Sequence, residues 1–335
     1  MTKPTPVRIM QGLNAFQLSG ALKAAIDLNV FTALGAGIVT AEALAKRCET
    51  SVKGMRVLCD FLVIHEFLTK EGAQYALAPD TATFLDRSSA AYLGDTARFL
   101  LGEEKFRAFE NLTAAIRKGG SVIHKAGDTI AKDDPRWAEF ARSMMPMMRP
   151  SARTIARLLD APGCGPCKVL DLAAGHGLFG ITIAQQNPHA AIYALDWPSV
   201  LRIAREHATE AGVAERWNAI EGSAFEVDFG QDYDVVLITN FLHHFNPETV
   251  DTLLRKVRAA LKPGGVAVTL EHIPNDDRVT PRDAAAFAIM MLAMTEEGEA
   301  YTFAQYEAMF RKAGFENNQL HRPEGERGAV ILSRR

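Results

Sequence analysis

From Lys168 onward, short apolar runs alternate with amphipathic stretches, and this pattern limits the fold more than any other feature. Val169 to Leu172, Ala190 to Leu195, Asp234 to Thr239 and Val266 to Glu271 are brief and nearly continuous in apolar side chains, as strands buried on both faces require. The stretches between them read as helices. After Asn246, a good N-cap, Pro247 takes the first helical position, and Val250, Leu253, Leu254, Val257 and Leu261 form an apolar stripe that Lys262-Pro-Gly-Gly ends. Such alternation predicts an α/β fold with a doubly wound parallel sheet. Only the end departs from it: Phe315 to Leu320, a polar turn from Pro323 to Gly328, and Ala329 to Ser333 read as a terminal antiparallel pair.

The first ~100 residues have a different texture. Leu13, Phe16, Ala21, Ala24, Leu28, Phe31 and Leu34 recur at helical intervals until Gly35 and Gly37. A second unit spans Thr40 to Arg47; a third has Ser51 as N-cap and Met55, Leu58, Cys59 and Leu62 on one face. Phe67-Leu-Thr, the turn Glu71-Gly72 and Gln74-Tyr-Ala-Leu then suggest a hairpin. Short helices followed by a helix and a hairpin make a winged-helix arrangement, which serves either as a DNA reader or as a dimer contact. Longer helical segments are expected over 91–118 and 134–160, with bends or breaks at Pro146 and Pro150.

Composition removes several function classes. At 335 residues, 48% hydrophobic and 23% charged, the chain is long enough for two domains with their own cores. Residues 1–160 carry 21 basic and 17 acidic groups and 161–335 carry 16 and 23, so neither part has the basic excess that a nucleic-acid partner demands. The uncharged apolar run Ala284 to Thr295 is 12 residues, short of the ~20 needed to span a bilayer. No membrane partner is expected. The opening Met1-Thr-Lys-Pro-Thr-Pro leads into no uninterrupted apolar segment, so the expected address is the cytoplasm. Cys164-Gly-Pro-Cys167 has redox spacing but runs into a strand instead of opening a helix, and no second Cys or His pair sits at metal-ligand spacing. No metal is expected.

The informative segment is Val169-Leu-Asp-Leu-Ala-Ala-Gly-His-Gly-Leu-Phe-Gly180. It reads as a buried strand, a glycine turn and a helix start, where backbone at Gly175 and Gly177 can approach a ligand that a Cβ would hold off. Gly175, Gly177 and Gly180 satisfy Gly-x-Gly-x-x-Gly, and Asp196 ends the next strand 21 residues after Gly175, near the spacing for an acid on a ribose diol. This pattern alone does not separate NAD from other adenosyl cofactors.

Three further features do. Asp171 gives the form Asp-x-x-x-Gly-x-Gly, Gly222-Ser-Ala-Phe225 follows the third strand, and Tyr233-Asp-Val-Val-Leu-Ile leads to a His-His loop and a helix ending Leu-Lys-Pro-Gly-Gly. With these the chain resembles the S-adenosylmethionine-dependent small-molecule O-methyltransferases that carry an N-terminal winged-helix dimerisation domain, the caffeic acid and acetylserotonin O-methyltransferase group with its bacterial branch. The resemblance covers nearly the whole chain. It implies a homodimer through residues 1–100, a helical linker or lid at 101–160 that contributes to an acceptor pocket, and a cofactor domain at 161–335 with a class I methyltransferase sheet.

The resemblance also implies roles for single residues. Asp171, Gly175 and Gly177 would line the cofactor turn, Asp196 would hold the ribose hydroxyls and Trp197 would pack on the adenine. Ser223, Ala224 and Phe225 stand where the family has Gly-Asp-hydrophobic-Phe, so Ser223 replaces an acid that faces the adenine amine. Thr239 stands where many relatives have a lysine facing the methionine carboxylate. Phe140, Met144, Met291 and Thr295 fall on the acceptor pocket, within methionine clusters that suit a flat aromatic acceptor.

His243 and His244 follow the fourth strand and precede the Asn246-capped helix, which puts them at the carboxyl edge of the sheet where ligands bind. A histidine there can take the proton of a phenol as it attacks a methyl group. The family pattern aligns with His243-His244-Phe245 and assigns the base to His243, with His244 as the alternative. Glu271 stands where an acid orients that imidazole. A second family acid precedes an Arg-Thr pair; here the pair is Tyr301-Thr302, the acid's position is Ala300, and Glu299 lies one residue off. The expected activity is methyl transfer to a hydroxyl of a hydrophobic aromatic molecule. Carbon or nitrogen methylation, use of the cofactor without methyl transfer, an NAD-dependent oxidoreductase and a winged-helix regulator are the alternatives. His176, His272 and His321 have no ligand spacing and read as structural or exposed.

Overall fold

A computed structural model describes residues 4–125, 127–128, 131–163 and 165–335. The chain divides into two compact units, Met1–Gly102 and Glu103–Arg335. In the first, α1 (Val7–Asp27), α2 (Val30–Gly35), β1 (Val39–Thr40), α3 (Ala41–Arg47), α4 (Val52–Ile64), β2 (Leu68–Glu71) and β3 (Gln74–Leu77) precede the short α5 (Pro79–Phe84) and α6 (Thr96–Leu100). The three strands form an antiparallel sheet in the order β1-β3-β2, the wing of a winged helix. Ser51 caps α4 by accepting from Gly54 N at 3.1 Å. Phe31, Leu34, Leu44, Met55, Cys59, Leu62, Leu68 and Tyr75 close the core. Leu13 and Phe16 share the helical period of α1 but are each 66% exposed, as are Val7, Ile9 and Met10 in large part. Burying one such side chain fully would contribute about 1.5–3 kcal/mol, so this face is poorly suited to water.

The second unit begins with α7 (Glu103–Glu110), α8 (Leu112–Lys118), α9 (Pro135–Ser143) and α10 (Met145–Leu158). The predicted long helix over 91–118 is thus three short ones. Pro150 lies inside α10 without breaking it: the helix buries Ser151, Ala152, Thr154, Ile155 and Ala156, and that packing outweighs the ~3 kcal/mol a mid-helix proline costs. The break falls at Met144, between α9 and α10.

The sheet elements follow: β4 (Cys167–Leu172), α11 (Leu178–Gln186), β5 (Ala190–Asp196), α12 (Pro198–Glu210), β6 (Trp217–Glu221), β7 (Tyr233–Thr239), α13 (Pro247–Ala260), β8 (Leu261–Glu271), α14 (Arg282–Met294), α15 (Phe303–Lys312), β9 (Asn317–His321) and β10 (Ala329–Arg334). Cys167 opens β4, and Cys164 lies outside the described residues. Strand order is β6-β5-β4-β7-β8-β10-β9, with β10 antiparallel to both neighbours. Alternate residues feed opposite faces. Leu170, Leu172, Val236 and Ile238 join Leu253, Leu254, Val257, Tyr306 and Phe310 on one side; Val169, Leu237 and Val268 meet Ile155, Ile181 and Ile183 on the other. Both faces are covered, which is why the strands are almost wholly apolar. Among the described residues no helix is long and apolar enough to cross a membrane.

β4 and β7 lie side by side with Asp171 opposite Leu237, and chain order reverses between them. The residue after each strand is left-handed: Ala173 at φ 52° and Asn240 at φ 53°. Asn tolerates this region, whereas a Cβ on alanine costs about 1–2 kcal/mol there. Ala173→Gly is expected to raise unfolding free energy by about 1 kcal/mol in urea titration, the glycine's extra unfolded-state entropy offsetting part of the relief.

Candidate active site

The turn after β4 is shaped by close approach. Gly175 and Gly177 have φ of 55° and 73°, and a Cβ at Gly175 would lie 3.3 Å from the Phe140 ring. At Gly180 a Cβ would come 2.7 Å from Ile192 Cγ2, so the third glycine seats α11 on the sheet. Asp171 is fully buried; its Oδ2 accepts from Gly180 N at 3.0 Å, and its Oδ1 has no partner among the described residues. Burial lifts its pKa to about 7. Asp196 braces the same turn, accepting from Gly175 N at 2.8 Å and from Trp197 N at 2.7 Å. Burial raises it to about 6 against those two donors.

Around this turn the other sequence-predicted cofactor residues assemble. Gly222 N donates to the Asp196 carbonyl at 3.0 Å, tying the loop after β6 to the end of β5. Ser223 is buried and its hydroxyl accepts from Phe225 N at 3.2 Å. Lys256 of α13 holds this loop through the Ala224 and Val227 carbonyls at 3.0 and 2.5 Å, with its ammonium over the Phe229 ring. Trp197 packs with Trp137 against Ala138, Ala141, Val200 and Ile203. Thr239 is buried at the end of β7. Beside it, Asn240 Nδ2 donates to the Met148 thioether at 3.7 Å. Nothing local marks Asn240 beyond its place at a strand end.

His243 and His244 share a single helical turn, Leu242–His244, but their surroundings differ. His243 is 4% exposed, and its Nδ1 lies 2.5 Å from Glu271 Oε2. Glu271 is 0% exposed, not a solvated strand end. Its other oxygen accepts from Phe241 N at 3.0 Å and Leu242 N at 2.8 Å, so one carboxyl holds both the loop and the ring. Burial drives the His243 pKa down, favouring neutral imidazole, and drives that of Glu271 up against the backbone donors. His244 instead packs edge-on to Trp137 at 5.4 Å, with Nδ1 buried and unpartnered among the described residues. Its pKa falls well below the ordinary value because of burial, then His243 and Arg136. Of the two, only His243 is paired with a carboxylate among the described residues.

Ala300 is fully buried. The Glu299 carboxylate turns away to pair with Arg278, and what Glu299 gives His243 is its backbone N–H, donated to the His243 carbonyl at 2.9 Å. No second carboxylate bonds the His243 ring among the described residues.

Phe140 belongs to a chain of rings, and Met144 and Met291 are buried. His176 stacks on Phe140 at 5.7 Å, Phe140 meets Trp137 at 6.3 Å, and His243 meets Phe287 at 4.9 Å, with His272 stacked on Phe287 at 4.1 Å. His176 is buried, and its Nδ1 accepts from Leu178 N at 3.2 Å. Burial lowers its pKa to about 3. Thr295 is buried, and its hydroxyl donates to the Met291 carbonyl at 2.7 Å and accepts from Gly298 N at 3.0 Å, closing α14. Trp137 and Phe287 were not singled out from sequence; Phe287 sits in the apolar run Ala284 to Thr295, where nothing marks one ring as facing His243. No group of three or more His, Cys, Asp or Glu among the described residues is arranged to hold a metal.

Known proteins resemble this chain along nearly its whole length. A family profile described as the O-methyltransferase domain matches residues 109–316, and one described as the O-methyltransferase dimerisation domain matches residues 10–87. A solved structure from Nostoc punctiforme, assigned as an O-methyltransferase, is 49% identical, with a TM-score of 0.95 and full coverage of both chains. Acetylserotonin O-methyltransferase of Mus musculus is 28% identical over 97% of this chain and 88% of its own length. Human N-acetylserotonin methyltransferase in complex with S-adenosylmethionine shares the fold at 22% identity, TM-score 0.87, over 100% of this chain and 99% of that one. With a glycine turn at the switch point, a Glu271-backed His243 at the same sheet edge and a family match over most of its length, the chain belongs to the O-methyltransferase family, with that family's dimerisation domain at its N-terminus.

Proposed function

We propose that the protein transfers the methyl group of S-adenosylmethionine to a hydroxyl of a hydrophobic aromatic molecule, with His243 as general base and Glu271 as its orienting partner. The observation that carries this reading is the His243–Glu271 contact at 2.5 Å, at the edge of the sheet where the glycine turn also lies.

The residues fit the cofactor. The unpartnered Asp171 Oδ1 suits an ammonium donor, Gly175 and Gly177 leave backbone open to approach, and Asp196 keeps lone pairs for ribose hydroxyls. Trp197, Ala224 and Phe225 would flank the adenine, with the Ser223 hydroxyl in place of an acid, and Thr239 and Asn240 would line the methionine end. When bound, the cofactor supplies a methyl group on a sulfonium that leaves as a neutral thioether. The chain's own work is to align the acceptor, exclude water and hold a proton. Glu271 keeps the Nδ1 proton of His243, which leaves Nε2 to accept the acceptor's proton. The imidazolium so formed is stabilised by the Glu271 carboxylate. Phe140, Met144, Met291 and Phe287 would give a flat ring apolar walls.

This arrangement sets the pH dependence. His243, lowered to about 3, stays neutral over the working range, so the controlling group is Glu271, raised to about 8. The active form needs Glu271 ionised; its folded pKa lies above the ordinary value, so that form is lost as pH falls. kcat/KM is expected to drop as pH goes below about 8, as a macroscopic property of the pair. A profile flat from pH 6 to 9 would contradict it.

Labelled-methyl transfer from S-adenosylmethionine to a panel of phenols and quinols tests the reaction, and binding of S-adenosylhomocysteine without NADH separates it from a dehydrogenase. Ala300 favours one second reading, methylation at carbon, which a product methyl resonance bonded to carbon instead of oxygen would reveal. The exposed apolar face of α1 and the dimerisation-domain match support a homodimer, expected as a single dimer boundary in sedimentation.

A further inference from the structure

Two glycines bracket the segment behind the catalytic loop. Gly298 N donates to Thr295 Oγ1 at 3.0 Å, and a Cβ there would collide with the His243 carbonyl oxygen and lie 2.6 Å from Thr295 Oγ1 and 3.0 Å from the His244 carbonyl carbon. Elsewhere on the same segment, a Cβ at Gly120 would collide with the Glu296 carbonyl. Ser121 N donates to the Thr295 carbonyl at 2.8 Å, and Lys118 Nζ bridges the Ser121 carbonyl at 2.8 Å and the Glu296 carboxylate at 3.0 Å. Neither Gly120 nor Gly298 has a left-handed φ. Their requirement is space for backbone to touch backbone, and any Cβ removes it.

We propose that Gly298 and Gly120 are positioning residues for methyl transfer. They let the backbone of residues 295–299 press against the His243 carbonyl, so that the Glu299 N–H fixes the base's loop from the side where Ala300 offers no acid. Glu271 then sets the ring's orientation and this backbone contact sets its depth. The inference rests on His243 being the base. A shift of several tenths of an ångström in a reacting group is enough to cost rate while leaving the cofactor turn, on another strand end, untouched.

The test is Gly298→Ala and Gly120→Ala in the full chain, read by kcat, KM for S-adenosylmethionine, S-adenosylhomocysteine affinity and the downfield proton resonance of the His243–Glu271 hydrogen bond. Gly298→Ala should lower kcat roughly tenfold or more, with cofactor KM and product affinity within about twofold and the resonance shifted; Gly120→Ala should do the same more weakly. Arg311→Met, which removes only the exposed i,i+4 pair with Glu307 on α15, should leave kcat within about twofold. If Gly298→Ala does not fold, Thr295→Val, which deletes the Gly298 N–H acceptor, must still lower kcat and move the resonance. Wild-type kcat with an unmoved resonance in either variant overturns the proposal, as does a kcat loss matched by an equal loss of product affinity. Full turnover in His243→Ala would instead defeat the general-base reading, leaving the two failures distinct.

Discussion

Glu271→Gln is expected to lower kcat by roughly 10³-fold or more while leaving S-adenosylhomocysteine affinity within about twofold. The carboxylate accepts three hydrogen bonds: two from the backbone of Phe241 and Leu242 and one from the ring of His243. Gln has one acceptor oxygen. If its oxygen stays on the two backbone donors, its NH₂ faces Nδ1, the ring must accept there, and the proton moves to Nε2, the atom that has to act as base. If the amide turns over, the NH₂ opposes two backbone N–H groups in a site with no exposure to water, and the loop shifts. Neither arrangement keeps a base in place. The substitution should also remove the fall in rate below about pH 8, because the group responsible for it no longer titrates. Steady-state kinetics across pH, with calorimetric titration of S-adenosylhomocysteine, checks both parts.

His243→Ala is expected to lower kcat by roughly 10²- to 10⁴-fold, the range that a positioned general base contributes. The residual rate reflects alignment of an already activated methyl donor. His244→Ala should fall far less, since its ring packs on Trp137 and no acid is paired with it among the described residues. Comparable losses at the two positions in a methyl-transfer assay would show that the pair acts as packing and not as base and neighbour.

Much of the cofactor half was legible because its signals are local. Asn246 caps α13 as its type and place foretell, accepting from Thr249 N at 2.9 Å. The strand–helix alternation carried the order of elements, and Gly175 and Gly177 announced a turn that only positive φ could make. Glu271 was legible as a strand end, but its complete burial was not, because burial depends on what β10 and the His243 loop lay over it. The Thr295 hydroxyl closes α14, a role set by the carbonyl four residues back that nothing in the local sequence marks. Pro150 was expected to bend or break its helix, yet the buried face of α10 carries the helix through it. Gly120 and Gly298 carry no conformational mark at all. Only the tertiary approach of Glu296 and His243 makes them matter. Leu13 and Phe16 share the helical period of residues in the core, although their face is open within the single chain.

General-base transfer by His243 is tested most directly by single-turnover methyl transfer from S-adenosylmethionine to substituted phenols of decreasing pKa, at one pH, for the wild type and His243→Ala. A phenol with pKa near that of a tyrosine, about 10, needs a base at neutral pH, whereas one with pKa about 7 is already half phenolate. The expected result is a deficit of roughly 10²-fold or more for the first that shrinks towards unity for the second. A deficit that stays constant along the series, or no deficit with the least acidic phenol, would contradict it.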